Sequence, residues 1–229
     1  MYEDKKLMTL AEMADYLKVA RRSLVRMAEK GDIPATKVSS QWQFMRSVVD
    51  DWLITQMKTL SDRELSNLID SENLPVPFSA LLRPELVRLD IEDRGVRRIL
   101  EQLTELLVRE NLLEDPQGFV EKLADREEMV STAIFPGIAV PHARKPEECP
   151  VREPRIVVGV SRSGVDFNSL DGQPTHLFCL LCADQVLLHL KVLAELALMF
   201  RRPGLLEQIK NAEEPGQVIR ILLHPPPVN

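Results

Sequence analysis

Residues 137–144 read Gly137-Ile138-Ala139-Val140-Pro141-His142-Ala143-Arg144, and this short segment is the most informative part of the second half of the chain. Its apolar residues have the pattern of a short β-strand, and a histidine follows directly after the proline. An imidazole is the one side chain whose ordinary pKa lets it be neutral, and so nucleophilic, near pH 7. His142 is therefore a candidate nucleophile, and we expect its ring to be reachable from solvent. The alternative is a histidine that merely ends a strand.

The residues on both sides of this segment alternate between helical and strand patterns. Apolar residues recur at helical spacing before it, and two apolar β-type runs and a largely apolar helix follow it. This order predicts an α/β fold with α+β character, in which helices flank a mixed sheet. The predicted elements are helices near 96–107 and 119–123, strands at 138–140, 156–160 and 176–182, helices near 187–201 and 205–211, and a final apolar run at 218–223.

Composition places the chain among ordinary globular proteins. Of its 229 residues, 45% are apolar and 28% are charged, and the net charge of −6 gives no overall attraction to nucleic acid. No stretch approaches the roughly 18 to 20 apolar residues of a membrane span, and the first residues do not lead into a signal peptide. We therefore expect a cytoplasmic protein that makes no membrane contact.

The three cysteines are an odd number, which favours reduced thiols over disulfides. Cys179 and Cys182 form a C-x-x-C pair, but they lie in an apolar β-type run, where residues three apart point to opposite faces. No further cysteine or histidine pair at ligand spacing accompanies them. We therefore assign both thiols to core packing and expect neither a metal nor a cofactor.

Residues 1–55 read as a compact helical unit with a small β element. Thr9 and Glu12 form a capping box, in which a hydroxyl and a carboxylate satisfy amide donors at a helix start. A second helical stretch, Arg21–Lys30, is followed by Gly31 in a C-cap role. Two short helices so tightly connected predict a helix-turn-helix. A wing hairpin is predicted at 35–44, and Val48, Val49, Trp52 and Leu53 then follow at helical spacing to close the small core.

The second of these helices carries the strongest charge bias. Residues 1–55 contain nine basic and eight acidic residues, but within 18–30 only Glu29 is acidic. Such a charge run usually just solvates a helix face. Here it lies on the helix that enters the major groove in helix-turn-helix proteins, which favours DNA contact. The basic residues concerned are Lys18, Arg21, Arg22, Arg26 and Lys30.

Residues 56–76 read as a helical linker. Ser61 and Glu64 form a second capping box, and Pro75 and Pro77 end the helix because proline lacks the amide donor. The predicted segments are a helix-turn-helix domain at 1–55, the linker at 56–76, the α/β domain at 77–224 and a tail at 225–229.

Two family resemblances cover almost the whole chain. Residues 7–54 resemble the excisionase type of winged helix-turn-helix, on Thr9-Leu10-Ala11-Glu12, Gly31-Asp32-Ile33-Pro34-Ala35 and the Trp42-x-Phe44 wing. Residues 77–224 resemble the enzyme IIA domain of the bacterial sugar phosphotransferase system, in its fructose/mannitol and nitrogen-regulatory branch. This stronger resemblance rests on Arg126-Glu127, Ser131-Thr132, Gly137 to Arg144, Gly164-Val165-Asp166-Phe167, Leu170 to Pro174, and Ala183-Asp184-Gln185 ahead of His189-Leu190-Lys191.

The resemblance to enzyme IIA implies roles for five residues. His142 takes a phosphoryl group from the phosphohistidine of an HPr-like carrier. Arg126 binds the phosphoryl oxygens, which suits a guanidinium, and His189, near the start of its helix, donates to the same group. Ser131 and Thr132 are implied as hydroxyl donors or turn formers. Taken alone, such an arginine is more often a surface ion pair and such a histidine more often a core residue, but the joint spacing of Arg126, His142 and His189 favours the functional roles.

The resemblance to a winged helix-turn-helix implies DNA contact by Arg21, Arg22 and Arg26, with Lys37 as a wing contact. Phosphate contacts dominate DNA affinity, so departures from the family pattern weaken the expectation of tight binding more than that of the fold. There are three such departures. Ala20 stands where this family commonly has a serine N-cap, Ser39 replaces the usual wing glycine, and Gln43 replaces a commonly basic residue.

Together, these features predict a regulatory phosphocarrier that is phosphorylated on His142 by an HPr-like protein and is coupled to DNA binding and transcriptional regulation. As an enzyme it is a transferase component of the phosphotransferase system. One alternative is a carrier that passes the phosphoryl group to a sugar-transport IIB subunit and uses its N-terminal domain as a protein adaptor. The other is a transcription factor whose IIA-like domain senses without being phosphorylated.

Overall fold

The computed structural model describes residues 7–17, 19–46, 76–92 and 95–224, together with positions 48, 49, 52, 56, 59, 61–63, 65 and 66. The chain divides into two compact units, residues 1–71 and 72–229. The predicted tail, much of the predicted linker with Glu64 and Pro75, and positions Lys18 and Leu53 lie outside the described residues. The predicted segment boundaries therefore stay predictions.

The first unit contains the predicted helices and wing and one strand that the sequence did not reveal. Strand β1 (Leu7–Thr9) leads into α1 (Leu10–Tyr16), α2 (Arg21–Lys30) follows, and β2 (Thr36–Val38) and β3 (Gln41–Met45) form the wing. The strands are antiparallel in the order β1-β3-β2. β1 was missed because three residues are too few to show a strand pattern and their pairing partner is distant in sequence.

Local side chains set the helix ends of this unit. Thr9 Oγ1 accepts the Glu12 N–H at 3.3 Å, and Glu12 Oε2 accepts the Thr9 N–H at 2.8 Å, which confirms the capping box. Helix α2 starts after Ala20 without a side-chain cap and ends at Gly31, whose φ of 75° favours glycine.

The hydrophobic core of the first unit includes Met13, Leu24 and Phe44, each with no exposed surface. Of the two adjacent valines predicted to close it, Val49 is fully buried but Val48 is 40% exposed. The prediction for Val48 was wrong, because neighbouring residues on a helix point in different directions.

The second unit is a four-stranded mixed sheet flanked by helices, which confirms the predicted fold class. The strand order is β4-β6-β7-β5, with β6 and β7 antiparallel and both outer pairs parallel. The strands are β4 (Val87–Arg88), β5 (Ile138–Ala139), β6 (Arg155–Val165) and β7 (Thr175–Cys182). The helices are α3 (Phe78–Leu81), α4 (Val96–Arg109), α5 (Pro116–Met129), α6 (Val186–Phe200), α7 (Leu205–Lys210) and α8 (Pro215–Leu223), with short 3-10 helices at Pro84–Leu86 and Pro146–Glu148.

The central strands carry the site. Residues 156–160 of β6 and 177–182 of β7 are continuous apolar runs, as expected of strand segments that are covered on both faces. β5 pairs with Leu177 and Phe178 of β7, and an isolated bridge joins His142 to Leu181. Residues 138–142 therefore run beside β7 as far as its last residues. β7 ends at Cys182, and α6 begins only four residues later, at Val186.

Among the helices that the structure describes, none has the length and apolar character of a membrane span.

The C-x-x-C pair packs in the core, as predicted. Cys179 and Cys182 are fully buried in β7 and neither forms a disulfide. Burial raises the pKa of Cys179 to about 12, so its thiol stays protonated and unreactive near neutral pH.

The wing turns through Ser39 and Ser40, whose φ angles are 48° and 67°. Lys37 pairs with Trp42 and Val38 with Gln41, so these two serines are the whole loop. Two consecutive positive φ angles are the geometry of a type I′ turn, which favours Asn-Gly. Serine in this left-handed region is strained.

We expect the double variant Ser39→Asn, Ser40→Gly to raise the free energy of unfolding of the first unit by about 1 kcal/mol, because it relieves this strain. Both tryptophans, Trp42 and Trp52, lie in this unit, so tryptophan fluorescence during denaturant unfolding reports on it alone. Ser23→Gly on the exposed face of α2 is the control, and there glycine should destabilise by about 0.5 kcal/mol, since serine is already a weaker helix former than alanine. An unchanged or lower unfolding midpoint in the turn variant contradicts the expectation.

Candidate functional site

The His142 ring is held by its own backbone neighbourhood. Its Nδ1 lies 2.7 Å from the carbonyl oxygen of Val140. A carbonyl oxygen only accepts, so Nδ1 carries the proton and donates it. In the neutral ring this leaves the lone pair on Nε2. Nε2 is buried and has no hydrogen-bond partner among the described residues.

A second histidine packs against this ring. His189 is the fourth residue of α6, which confirms that it lies near a helix start. The ring centroids of His142 and His189 are 5.1 Å apart, and the two planes meet at 64°, an edge-to-face arrangement. The fold therefore brings together two histidines that are far apart in the chain.

Arg126 lies in the last turn of α5 and is 2% exposed. Its Nη1 donates to the carbonyl oxygen of Val130 at 2.7 Å, so the guanidinium is anchored to the segment that leaves the helix. Its positive charge acts on His142, whose pKa it lowers. Arg126 is therefore a buried cation at the histidine pair and not a surface ion pair.

The electrostatics of the site keep His142 neutral. Burial, the largest cause, lowers the pKa of His142 well below its ordinary value, and the positive charges of Arg126 and His189 lower it further. The hydrogen bond to Val140 acts in the opposite direction but is the weakest of these causes. A neutral imidazole with a free lone pair is the nucleophilic form.

The expectation that His142 is reachable from solvent was wrong. The side chain is 2% exposed and His189 is 5% exposed. The physical reason is that the bridge to Leu181 seats residue 142 beside a central strand, while the His189 ring covers one side of it.

Ser131 and Thr132 lie next to the site but direct their hydroxyl groups elsewhere. Thr132 Oγ1 donates to Glu127 Oε2 at 2.7 Å, and Ser131 Oγ lies 2.7 Å from Glu127 Oε1 and 3.0 Å from the carbonyl oxygen of Phe167. Both residues are buried. Each hydroxyl has one proton, and in this arrangement that proton is donated to an acceptor of the turn itself. Both residues therefore act here as turn formers, and their role as phosphoryl donors stays a prediction.

Glu127 is the residue of this site to which the sequence analysis gave no role. It is 4% exposed, and burial is the main cause that raises its pKa, against the opposing effect of its hydrogen bonds to Thr132 and Ser131. Glu127 and Thr132 both stand in segments that carry the enzyme IIA resemblance, but that resemblance gave Glu127 no role, and the hydrogen bonds between the two residues become visible only in the fold. The carbonyl of Val140 was equally invisible, since every residue has one.

The other two histidines lie outside the site. His176 in β7 is half-buried, and its Nδ1 lies 3.0 Å from the carbonyl oxygen of Ser161, a structural contact. His224 caps α8 at the end of the described residues. Within the described ranges, no group of three or more His, Cys, Asp or Glu side chains is arranged to hold a metal ion.

The residues predicted to contact DNA lie on the surface of the first unit. Arg21, Arg22 and Arg26 are all exposed on α2. Lys37 is exposed on the wing, with Nζ 5.0 Å from the centre of the Trp42 ring, a cation–π contact that orients it.

Comparison with known proteins identifies the second unit. The sequence model described as "Phosphoenolpyruvate-dependent sugar phosphotransferase system, EIIA 2" matches residues 80–224. The chain belongs to this EIIA 2 family. A second model, described as a helix-turn-helix domain, matches residues 7–57. The chain thus combines an enzyme IIA domain with a helix-turn-helix domain, as its sequence predicted.

Two curated relatives align with the enzyme IIA domain. The fructose-specific EIIABC component of Bacillus subtilis is 33% identical over 147 residues, which are 63% of this chain but only 23% of that protein. The nitrogen regulatory protein of Pseudomonas aeruginosa is 30% identical over 150 residues, 65% of this chain and 96% of that protein.

A solved structure shares the fold. The nitrogen regulatory protein IIA-Ntr of Neisseria meningitidis superposes with a TM-score of 0.57 at 27% identity, covering 63% of this chain and 97% of the other. Enzyme IIA proteins are phosphotransferase components, so a transferase role holds for this domain in general terms.

We expect the imidazole of His142 to titrate well below about 6.5 when followed by NMR. Arg126→Gln should raise the midpoint only part of the way, since burial is the larger cause. Because the unfolded chain binds the proton more tightly, the free energy of unfolding contributed by this group falls as the pH drops below about 6.5. A midpoint at or above the ordinary value contradicts the buried, neutral ring.

Proposed function

We propose that the enzyme IIA domain is a phosphocarrier that accepts a phosphoryl group on Nε2 of His142. The observation that carries this proposal is the hydrogen bond from His142 Nδ1 to the Val140 carbonyl at 2.7 Å, which leaves Nε2 as the nucleophilic nitrogen. Membership of the EIIA 2 family supports it, since that family serves phosphoenolpyruvate-dependent phosphotransfer.

The transfer exchanges one nitrogen–phosphorus bond for another. The Nε2 lone pair of His142 attacks the phosphorus of a phosphohistidine on an HPr-like carrier, and the bond to the donor imidazole breaks, with its electron pair returning to that ring. In-line approach and charge stabilisation are the main requirements of such a step. Arg126 and His189 supply positive charge and donors beside Nε2, and the Val140 carbonyl stabilises the positive charge that the phosphorylated ring acquires.

The burial of His142 adds a requirement to this mechanism. With the side chain 2% exposed, a phosphohistidine cannot reach Nε2 in line in the conformation described. His189 must therefore turn or shift when the donor docks, because its ring packs directly on that of His142. Exclusion of water from the closed site protects the phosphoryl group once it has transferred.

We expect incubation with a phosphorylated HPr-like carrier to give an acid-labile label that His142→Gln abolishes, because this variant lacks the only proposed acceptor. His189→Gln should slow transfer by about 10- to 1,000-fold if its ring stabilises the transferred charge. Rapid-quench measurement of labelled protein gives both rates.

The matched control is His176→Gln. This ring also contacts a backbone carbonyl through Nδ1 but lies outside the site, so its loss should leave labelling unchanged. Failure of the wild-type chain to label with an active donor rejects the phosphocarrier proposal, and equal rates in wild type and His189→Gln remove His189 from the mechanism.

We propose further that the helix-turn-helix domain binds DNA and that the phosphorylation state of His142 regulates transcription. The exposed arginines of α2 support DNA binding, since Glu29 is the one acidic residue in the sequence of that helix. Phosphorylation adds negative charge and acceptor oxygens, which is a change that a partner can detect. Similarity to a nitrogen regulatory protein is consistent with a regulatory use.

We expect a salt-dependent gel shift on neighbouring promoter DNA that Arg22→Ala or Arg26→Ala weakens. Each lost phosphate contact should lower the slope of log affinity against log salt by about 1. Arg97→Ala, an exposed arginine of the second unit, is the charge-matched control and should have no effect. Arg21→Ala and Lys37→Ala test the flanking and wing contacts in the same assay.

The same two assays separate the alternatives. A labelled protein with no DNA sequence preference at any salt favours a carrier that serves a IIB subunit, a use that fits the similarity to a fructose-specific EIIABC component. Sequence-specific DNA binding without labelling favours a transcription factor with an unphosphorylated sensor domain.

A further inference from the structure

The carboxylate of Glu127 begins a series of hydrogen bonds that ends on the His142 ring. Its Oε1 accepts the backbone N–H of Thr132 at 2.7 Å, and its Oε2 accepts the hydroxyl of the same residue at 2.7 Å. Both residues are buried, with Glu127 4% and Thr132 1% exposed. Two short bonds from one carboxylate fix both the side chain and the peptide group of Thr132.

The next two links are made by the backbone. The carbonyl oxygen of Thr132 accepts the N–H of Val140 at 3.2 Å. The carbonyl oxygen of Val140 accepts the Nδ1 proton of His142 at 2.7 Å. Four residues from three separate parts of the domain are thus connected in one line: the last turn of α5, the segment after it, and the segment after β5.

A carboxylate suits the first position of this series better than any other side chain. Thr132 presents two donors, and an ionised glutamate offers an acceptor to each of them. A glutamine offers one acceptor and one donor, and an apolar side chain would leave a buried amide unsatisfied. Ser131, whose hydroxyl lies 2.7 Å from Glu127 Oε1 and accepts the Ala133 N–H at 3.1 Å, holds the same turn from its other side.

We propose that Glu127 is a positioning residue that, through Thr132 and Val140, holds His142 in the tautomer whose Nε2 is free to react. Glu127 touches neither His142 nor a phosphoryl group in this arrangement, so it acts only through the two intervening residues. If the Val140 carbonyl moves away, the ring loses the bond that keeps the proton on Nδ1. A proton on Nε2 would then occupy the nitrogen that must attack.

The direct test is the ¹⁵N NMR spectrum of the imidazole nitrogens in the full, unphosphorylated chain near neutral pH. In the wild type, His142 should show a protonated Nδ1 and a bare Nε2. In Glu127→Ala the two shifts should move toward each other as the tautomers mix, and Glu127→Gln, which keeps an acceptor for the Thr132 amide, should restore most of the difference. If Glu127 only stabilised the fold, its replacement would leave the tautomer of His142 unchanged in a variant that still folds.

A second variant keeps the proposal testable if Glu127→Ala does not fold. Thr132→Val removes only the bond from Oγ1 to Glu127 and should give a smaller change in the same direction. Thr104→Val, which deletes an equally buried hydroxyl bound to the Glu101 carbonyl on α4, is the matched control and should leave His142 unchanged. The proposal is overturned if Glu127→Ala folds and the ¹⁵N shifts of His142 are the same as in the wild type. If Glu127→Ala does not fold, unchanged His142 shifts in Thr132→Val overturn it.

The consequence for phosphotransfer rests on the proposed function. Labelling of Glu127→Ala at saturating carrier should be about 5- to 30-fold slower, the effect expected from losing one or two buried hydrogen bonds, with an unchanged dependence on carrier concentration. If the wild type is not labelled while the tautomer of His142 still depends on Glu127, phosphotransfer fails and the positioning role stands. If labelling is normal and the tautomer does not move, the positioning role fails alone.

Discussion

The hydrogen bond from His142 to the carbonyl of Val140 is the interaction on which the proposed chemistry of this domain depends. It uses a backbone acceptor two residues earlier in the same chain, so it forms only if the segment after β5 has one particular course. The sheet enforces that course: Ile138 and Ala139 pair with β7, and the bridge to Leu181 carries the pairing as far as the histidine. The apolar strands of the core therefore orient a single imidazole.

Burial gives this site both its reactivity and its limitation. A histidine that is 2% exposed beside the positive charges of Arg126 and His189 is strongly disfavoured as a cation, so its lone pair is available over a wide pH range. In the proposed mechanism, the same packing excludes the phosphoryl donor until a side chain moves. Enzyme sites often combine a preorganised, dry interior with a step that opens it, and the proposed mechanism places that step at the edge-to-face contact of the two rings.

The two units of the chain meet different physical demands. The enzyme IIA domain conceals its charged and polar site residues, whereas the helix-turn-helix domain keeps Arg21, Arg22 and Arg26 exposed, as contact with phosphates requires. The proposed phosphorylation would change the charge of a buried site, and the proposed DNA contact would use the charge of an exposed surface, which is the division that the proposed regulatory function requires. The family similarity reaches both parts, at residues 80–224 and 7–57.

The sequence alone determined the features whose causes are local. The capping box of Thr9 and Glu12, the end of α2 at Gly31 and strands β5, β6 and β7 follow from side chains and apolar patterns within a few residues. The family motifs pointed to His142, His189 and Arg126 as candidate site residues. Only the tertiary structure decided that His142 is buried, that β1 and β4 exist, and that Glu127 connects to the histidine through Thr132 and Val140. These features depend on backbone groups and on distant segments, and a backbone carbonyl looks the same in every residue until the fold selects its partner.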